Sequence, residues 1–311
     1  MIAHWDEVEG RRSPHPAAGG DWFFLGEAAG SAGVGVNRIL LGPHEVSTPA
    51  HVHGADEEIF FVLNGSGLSW QDGTTYEVGP GDCLVHAPRE RAHTLKAGDR
   101  GLDVLAYGPR TRLGGSYLPR IGVYWLWPTW TEAGTGDHPY ARDQKLEWPE
   151  PNAERPSSIV NVDQAEARYG GRSRALAASA GAKLRGLNLI TLPAGEEGAP
   201  PHCHSVEEEL FVVLAGEGEL ELWAPPDPNE QFPTAPKETH PVRAGHVVSR
   251  PPGTRIPHSF RAGEQGLTYL AYGTRDSSDA LWYPRSNKVY FRGLGVIARV
   301  ELLDYFDGEP G

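Results

Sequence analysis

Cysteine, methionine and long apolar runs are all scarce in this chain. Two cysteines, Cys83 and Cys203, in 311 residues cannot build a disulfide framework. Both fall in strand-like segments and read as buried free thiols. No stretch approaches the roughly 18 consecutive apolar residues of a membrane-spanning helix. Met1–Arg12 is polar and acidic, without the apolar segment of a secretory signal. The expectation is a cytoplasmic protein with no membrane partner. Positive charge is in deficit as well: 28 Lys and Arg against 41 Asp and Glu give a net charge of −13. A nucleic-acid backbone would be repelled, so no such partner is expected. Long helical patterns are missing, whereas 39 glycines and 27 prolines supply many turns. That balance favours an all-β architecture.

Against this background the histidines are grouped. His51, His53, Glu58 and Gly65 recur 151 residues later (202 − 51) as His202, His204, Glu209 and Gly216. Both copies read H-x-H-x4-E-x6-G, and each is followed by one more histidine, His93 and His258. On a strand, side chains at i and i+2 share a face about 6.6 Å apart, so both imidazoles can reach one ion. The four residues before each glutamate suffice for a turn to the next strand. Three imidazoles and a carboxylate suit a borderline divalent ion: Fe, Mn, Co, Ni, Cu or Zn. Glu57, Glu207 and Glu208 adjoin the chosen glutamates. The x6-G spacing and the strand phase select Glu58 and Glu209.

The repeat extends beyond the ligands. Gly35 and Asn37 pair with Gly186 and Asn188 at the same offset, and Ala106-Tyr107-Gly108 pairs with Ala271-Tyr272-Gly273 at 165 (271 − 106). An added loop, Ala224–Thr239, accounts for most of the change. A fixed offset broken only at a loop argues for duplication. We therefore expect two units, residues 1–150 and 151–311. The first ends in an aromatic insertion at 124–130 and a Pro/Gly-rich linker at 131–158. The second ends in an extension at 288–306, without a counterpart in the first half. In Glu58–Leu63, Phe60 and Val62 share the ligand's face, while Ile59, Phe61 and Leu63 face outward. Such a doubly apolar strand needs cover from the other unit or from a second copy of the chain, so a homodimer is one alternative. Gly65 is expected at a hairpin.

At these residues the sequence resembles the cupin superfamily, and within it the bicupins. The second motif of that family is similar to Gly245-His-Val-Val-Ser-Arg-Pro251-Pro-Gly253 with His258, and in part to Pro88 with His93, where Glu90 stands in place of a glycine. The resemblance implies two tandem double-stranded β-helix (jelly-roll) barrels. It implies one divalent ion in each, held by His51, His53, Glu58 and His93 and by His202, His204, Glu209 and His258. Fe(II) is favoured, with Mn, Ni, Co, Cu or Zn as alternatives. Asn37, Asn188, Tyr107 and Tyr272 are candidate substrate contacts, and Glu58 or Glu209 the candidate base. Oxalate-decarboxylating bicupins carry an arginine just ahead of the first histidine; Thr48-Pro-Ala and Ala199-Pro-Pro stand there instead. The leading expectation is a dioxygenase-type oxidoreductase acting on a small enolisable or phenolic molecule. A non-redox isomerase, lyase or decarboxylase is the second reading, and a non-catalytic small-molecule-binding protein the third.

Overall fold

The computed structural model describes all residues except 14, 16–17, 111–113, 127–128, 132–136, 146, 226–232 and 310–311. Parts of the aromatic insertion and of the 224–239 loop thus lie outside the described residues. Each half folds into a jelly-roll barrel of two sheets. The large sheet of the first barrel is built on Glu58–Gln71, Asp82–His86, His93–Pro109 and Val34–Leu41; that of the second on Glu209–Leu222, His246–Arg250, His258–Thr274 and Arg185–Leu192. All pairings among these strands are antiparallel.

The glycine of the repeated motif does not close a hairpin. Glu58–Gln71 and Glu209–Leu222 each run straight through it, with register shifts on both sides of the glycine. Gly65 has φ of 83° and Gly216 of 75°, and a Cβ there would fall 2.3 Å from the Gly101 carbonyl oxygen or 2.1 Å from that of Gly266. Only glycine permits that approach. The bulges bend each long strand around its barrel corner, and in the first barrel the actual hairpin follows at Asp72-Gly73, both with positive φ.

Among the described residues, strand alternation divides most of the buried apolar side chains into three large cores, beside a small cluster of Ala50, Trp70 and Ala92. Phe60, Val62, Leu84 and Val104 fill the first barrel, and Phe211, Val213, Val248 and Phe260 the second. The opposite faces, including Ile59, Phe61, Leu105 and Tyr107 from one barrel and Leu210, Val212, Leu270 and Tyr272 from the other, form one core between the barrels. The cover required by the doubly apolar strands therefore comes from within the chain.

Two features differ from the expected division. Ile2–His4 pairs with His246–Arg250 of the second barrel, and Ile159–Asn161 with Asp82–His86 of the first. The barrels thus exchange edge strands, and a cut at residue 150 separates chain segments rather than sheets. The C-terminal extension also has a counterpart. Lys288–Phe291 and Val296–Arg299 continue a small sheet from Cys203–His204 and Ala280–Tyr283, just as Val123–Leu126 and Thr129–Thr131 continue one from Val52–His53 and Gly115–Leu118. The 165-residue offset holds there (288 − 123), although the residues have diverged to Val-Tyr-Trp-Leu against Lys-Val-Tyr-Phe. Each of these small sheets carries a metal-site histidine, His53 or His204.

Candidate metal centres

The ligand sets assemble where the strand ends converge. In the first barrel, His51 Nε2 lies 3.1 Å from His53 Nε2, and Glu58 Oε2 lies 3.3 Å from His53 Nε2 and 2.8 Å from His93 Nε2. The four donor atoms all fall within 4.8 Å of one another. In the second barrel, Glu209 Oε2 is 3.6, 3.2 and 3.1 Å from the Nε2 atoms of His202, His204 and His258. The first barrel thus gathers all four of its predicted residues into one group; in the second, His202, His204 and Glu209 form the mutually close group and His258 joins it through Glu209.

The outward ring nitrogens decide whether this geometry suits a cation. His51 Nδ1 meets the Pro49 carbonyl at 2.9 Å, and His202 Nδ1 meets the Pro200 carbonyl at 2.9 Å. A carbonyl only accepts, so Nδ1 must carry the proton and Nε2 turns a lone pair inward. His93 Nδ1 is likewise set against the Arg91 carbonyl at 3.3 Å. In the second barrel the buried atoms His204 Nε2, His258 Nε2 and Glu209 Oε2 have no well-formed hydrogen bond among the described residues. Inward lone pairs around a carboxylate repel one another unless a cation lies between them, so the donor sets fit a divalent ion. Burial favours neutral imidazoles at two of the ligands: it lowers His51 to about 3, helped by His93 and His53, and His258 to about 4. At His53 burial acts the same way, but the Glu58 hydrogen bond and charge outweigh it and raise it. Burial alone would raise Glu58 and Glu209, but the facing histidines hold both well below the usual carboxylate range.

The centres differ in what stands behind them. His53 Nδ1 meets the Ser116 hydroxyl at 3.1 Å, whereas His204 Nδ1 meets Asp279 Oδ2 at 2.7 Å. Asp279 Oδ1 also accepts from the backbone N–H groups of Ser205, Val206 and Glu207. Burial would raise Asp279, yet the His204 hydrogen bond and the Val206 N–H bring it to about 2. Burial would lower His204, yet the Glu209 charge and the Asp279 hydrogen bond raise it to about 10. Asp279→Asn keeps the shape and removes the charge. It should weaken metal binding at the second centre by about 10- to 100-fold and leave the first unchanged. Chelator-competition titration, with the other centre deleted in each case, checks this.

The surroundings differ too. In the first barrel His86 lies flat on His93, with ring centroids 3.8 Å apart and planes 8° apart. His86 is paired opposite Glu58, a position occupied opposite Glu209 by Arg250. The first centre borders a cavity of about 510 Å³ with polar walls that include Glu27, Asp56 and Arg110. The second opens on a cavity of about 550 Å³ whose walls, Leu192, Phe211 and Phe260 among them, are mainly apolar. Asn37 and Asn188 line these respective cavities. Tyr272, expected to touch substrate, faces the other barrel instead, because Ala271 takes the inward position on its strand. Tyr107 borders the first cavity but is buried against Tyr272, with ring centroids 4.9 Å apart. Sequence reasoning did not find Asp279, which lies 75 positions beyond His204 without motif spacing.

This architecture is a two-barrel, metal-binding jelly roll. Residues 37–105 and 188–271 each match the cupin domain family, and the chain is a bicupin. No curated protein matches the sequence. Among solved structures, a deletion mutant of Bacillus subtilis oxalate decarboxylase is similar at a TM-score of 0.59 and 16% identity, over 89% of this chain and 77% of that one. The same enzyme at pH 4.6 gives 0.57 and 16%, over 89% and 76%. A structure of it described through its Mn(II) centres gives 0.58 and 15%, over 90% and 78%. These likenesses concern the fold.

Proposed function

We propose that this bicupin is a metal-dependent oxidoreductase of the dioxygenase type, acting on a small enolisable or phenolic molecule in the second barrel. The observation that carries the reading is the pairing of the His202, His204, Glu209 and His258 cage with a mainly apolar cavity of about 550 Å³. That volume suits a small organic body. A divalent redox ion such as Fe(II) in the cage supplies polarisation of an oxygen donor and one-electron exchange with dioxygen. The chain's own groups do the rest. Glu209, a carboxylate in the cavity wall, would serve as the base that takes the enol or phenol proton. Asn188 offers an amide to a second oxygen of the substrate. Phe211 and Phe260 exclude water from the organic body. Iron-loaded protein is expected to consume dioxygen with a 1,3-dicarbonyl or phenolic compound, followed with an oxygen electrode. No uptake across such a panel sinks the reading.

The architectural likeness to oxalate decarboxylase favours a second reading, a non-redox lyase or decarboxylase. Two observations weigh against oxalate itself. No arginine precedes His51 or His202 directly, and Arg172 in the cavity wall is ion-paired with Glu196. Turnover that persists under strict anaerobiosis would favour this second reading.

A further inference from the structure

Glu57 and Glu208 stand immediately before the ligands Glu58 and Glu209. On an extended strand, neighbours point to opposite faces, so each pair sends one carboxylate into its own barrel and one out of it. Glu57 accepts from three consecutive backbone N–H groups of the second barrel, those of Lys183, Leu184 and Arg185, at 2.9, 3.1 and 2.8 Å. Glu208 accepts from Ala32, Gly33 and Val34 of the first barrel at 2.8, 2.6 and 3.2 Å. The clasps are equivalent, since every participant in one lies 151 residues from its counterpart (208 − 57, 183 − 32). Both carboxylates are almost fully buried, at 2% and 3% exposure. Three successive N–H groups turned to one point form an anion-binding nest, and a carboxylate so held has very little freedom.

We propose that Glu57 and Glu208 are positioning residues for the metal centres. Each anchors the strand start that carries the adjacent ligand to the opposite barrel. One peptide unit then separates a fixed carboxylate from one that must reach three imidazoles. The geometry of each centre therefore depends on the backbone nest that the other barrel supplies, not on the shared apolar core as such. The inference rests on the cages binding metal.

The test uses full-length protein with His202→Ala/His204→Ala, which leaves the first centre alone, and Mn(II) as the probe. Affinity is read by chelator competition and site symmetry by Mn(II) electron paramagnetic resonance. Glu57→Ala should weaken binding about 10-fold or more, as loss of a supporting partner does, and broaden the Mn(II) spectrum. Glu57→Gln, which keeps one acceptor oxygen, should recover part of the affinity and serves where the alanine variant does not fold. Leu187→Ala loosens the same inter-barrel core without touching the clasp, and should lower thermal stability while leaving the affinity unchanged. Equal affinity in Glu57→Ala and its parent, or an equal loss in Leu187→Ala, overturns the proposal. A parent that binds no Mn(II) overturns the metal reading and this inference with it. In the reciprocal background, His51→Ala/His53→Ala, the same pattern is expected for Glu208→Ala at the second centre.

Discussion

His202→Ala/His204→Ala is expected to release one metal ion per chain and to abolish turnover, whereas His51→Ala/His53→Ala releases one ion and leaves turnover measurable. Metal polarisation supplies several kcal/mol to a reaction of this kind. At about 1.4 kcal/mol per tenfold, its loss lowers the rate by about 10³-fold or more. The asymmetry follows from what surrounds each cage. The second faces apolar walls, and its His204 is backed by the Asp279 carboxylate at 2.7 Å. The first faces polar walls, its His53 is backed by a hydroxyl, and the flat face of His93 is covered by His86. Metal mass spectrometry on both variants, with dioxygen uptake in parallel, separates the cases. Turnover that survives loss of the second cage would move the active site to the first barrel.

How much of this was legible beforehand depends on whether a feature is carried by side-chain type or by docking. The ligand sets were readable because H-x-H-x4-E-x6-G encodes strand phase and turn length in residue types, and its repetition at one offset removes coincidence. The choice of Glu58 over Glu57 rested on phase, and the structure gives the physical reason: Glu57 faces outward to a nest on the other barrel. That second role was not readable, because nothing in Lys183–Arg185 advertises backbone N–H groups turned to one point. Gly65 was recognised as special, but its type cannot tell a hairpin from a bulge; both demand positive φ. The exchanged strands Ile2–His4 and Ile159–Asn161 are short and unpatterned, and only docking decides which sheet they join. The small sheet at Val123–Leu126 preserves backbone register with Lys288–Phe291 but not side chains, so a comparison of letters passed over it.

Tyr107→Ala is expected to cost about 3–5 kcal/mol of stability, the range for truncating a buried aromatic. The ring is 1% exposed and packs on Tyr272 at a centroid distance of 4.9 Å, in the core shared by the barrels. Such a pair adds about 0.5–1.5 kcal/mol beyond the area it buries. Alanine would leave a cavity that cannot collapse readily, because exchanged edge strands and both glutamate clasps hold the barrels at their present separation. Tyr107→Phe separates packing from polarity. The Tyr107 hydroxyl is buried and has no hydrogen-bond partner among the described residues, and burial pushes it well above the usual tyrosine range. Removing an unpartnered buried hydroxyl relieves a desolvation cost, so the phenylalanine variant should match or exceed the parent by about 1 kcal/mol. Denaturant unfolding measures both. With the core continuous across the barrels, the parent should unfold in a single transition, and Tyr107→Ala should move its midpoint. Two separate transitions in the parent, with only one moved by the substitution, would mean that each barrel is stable alone and that the shared core merely docks them.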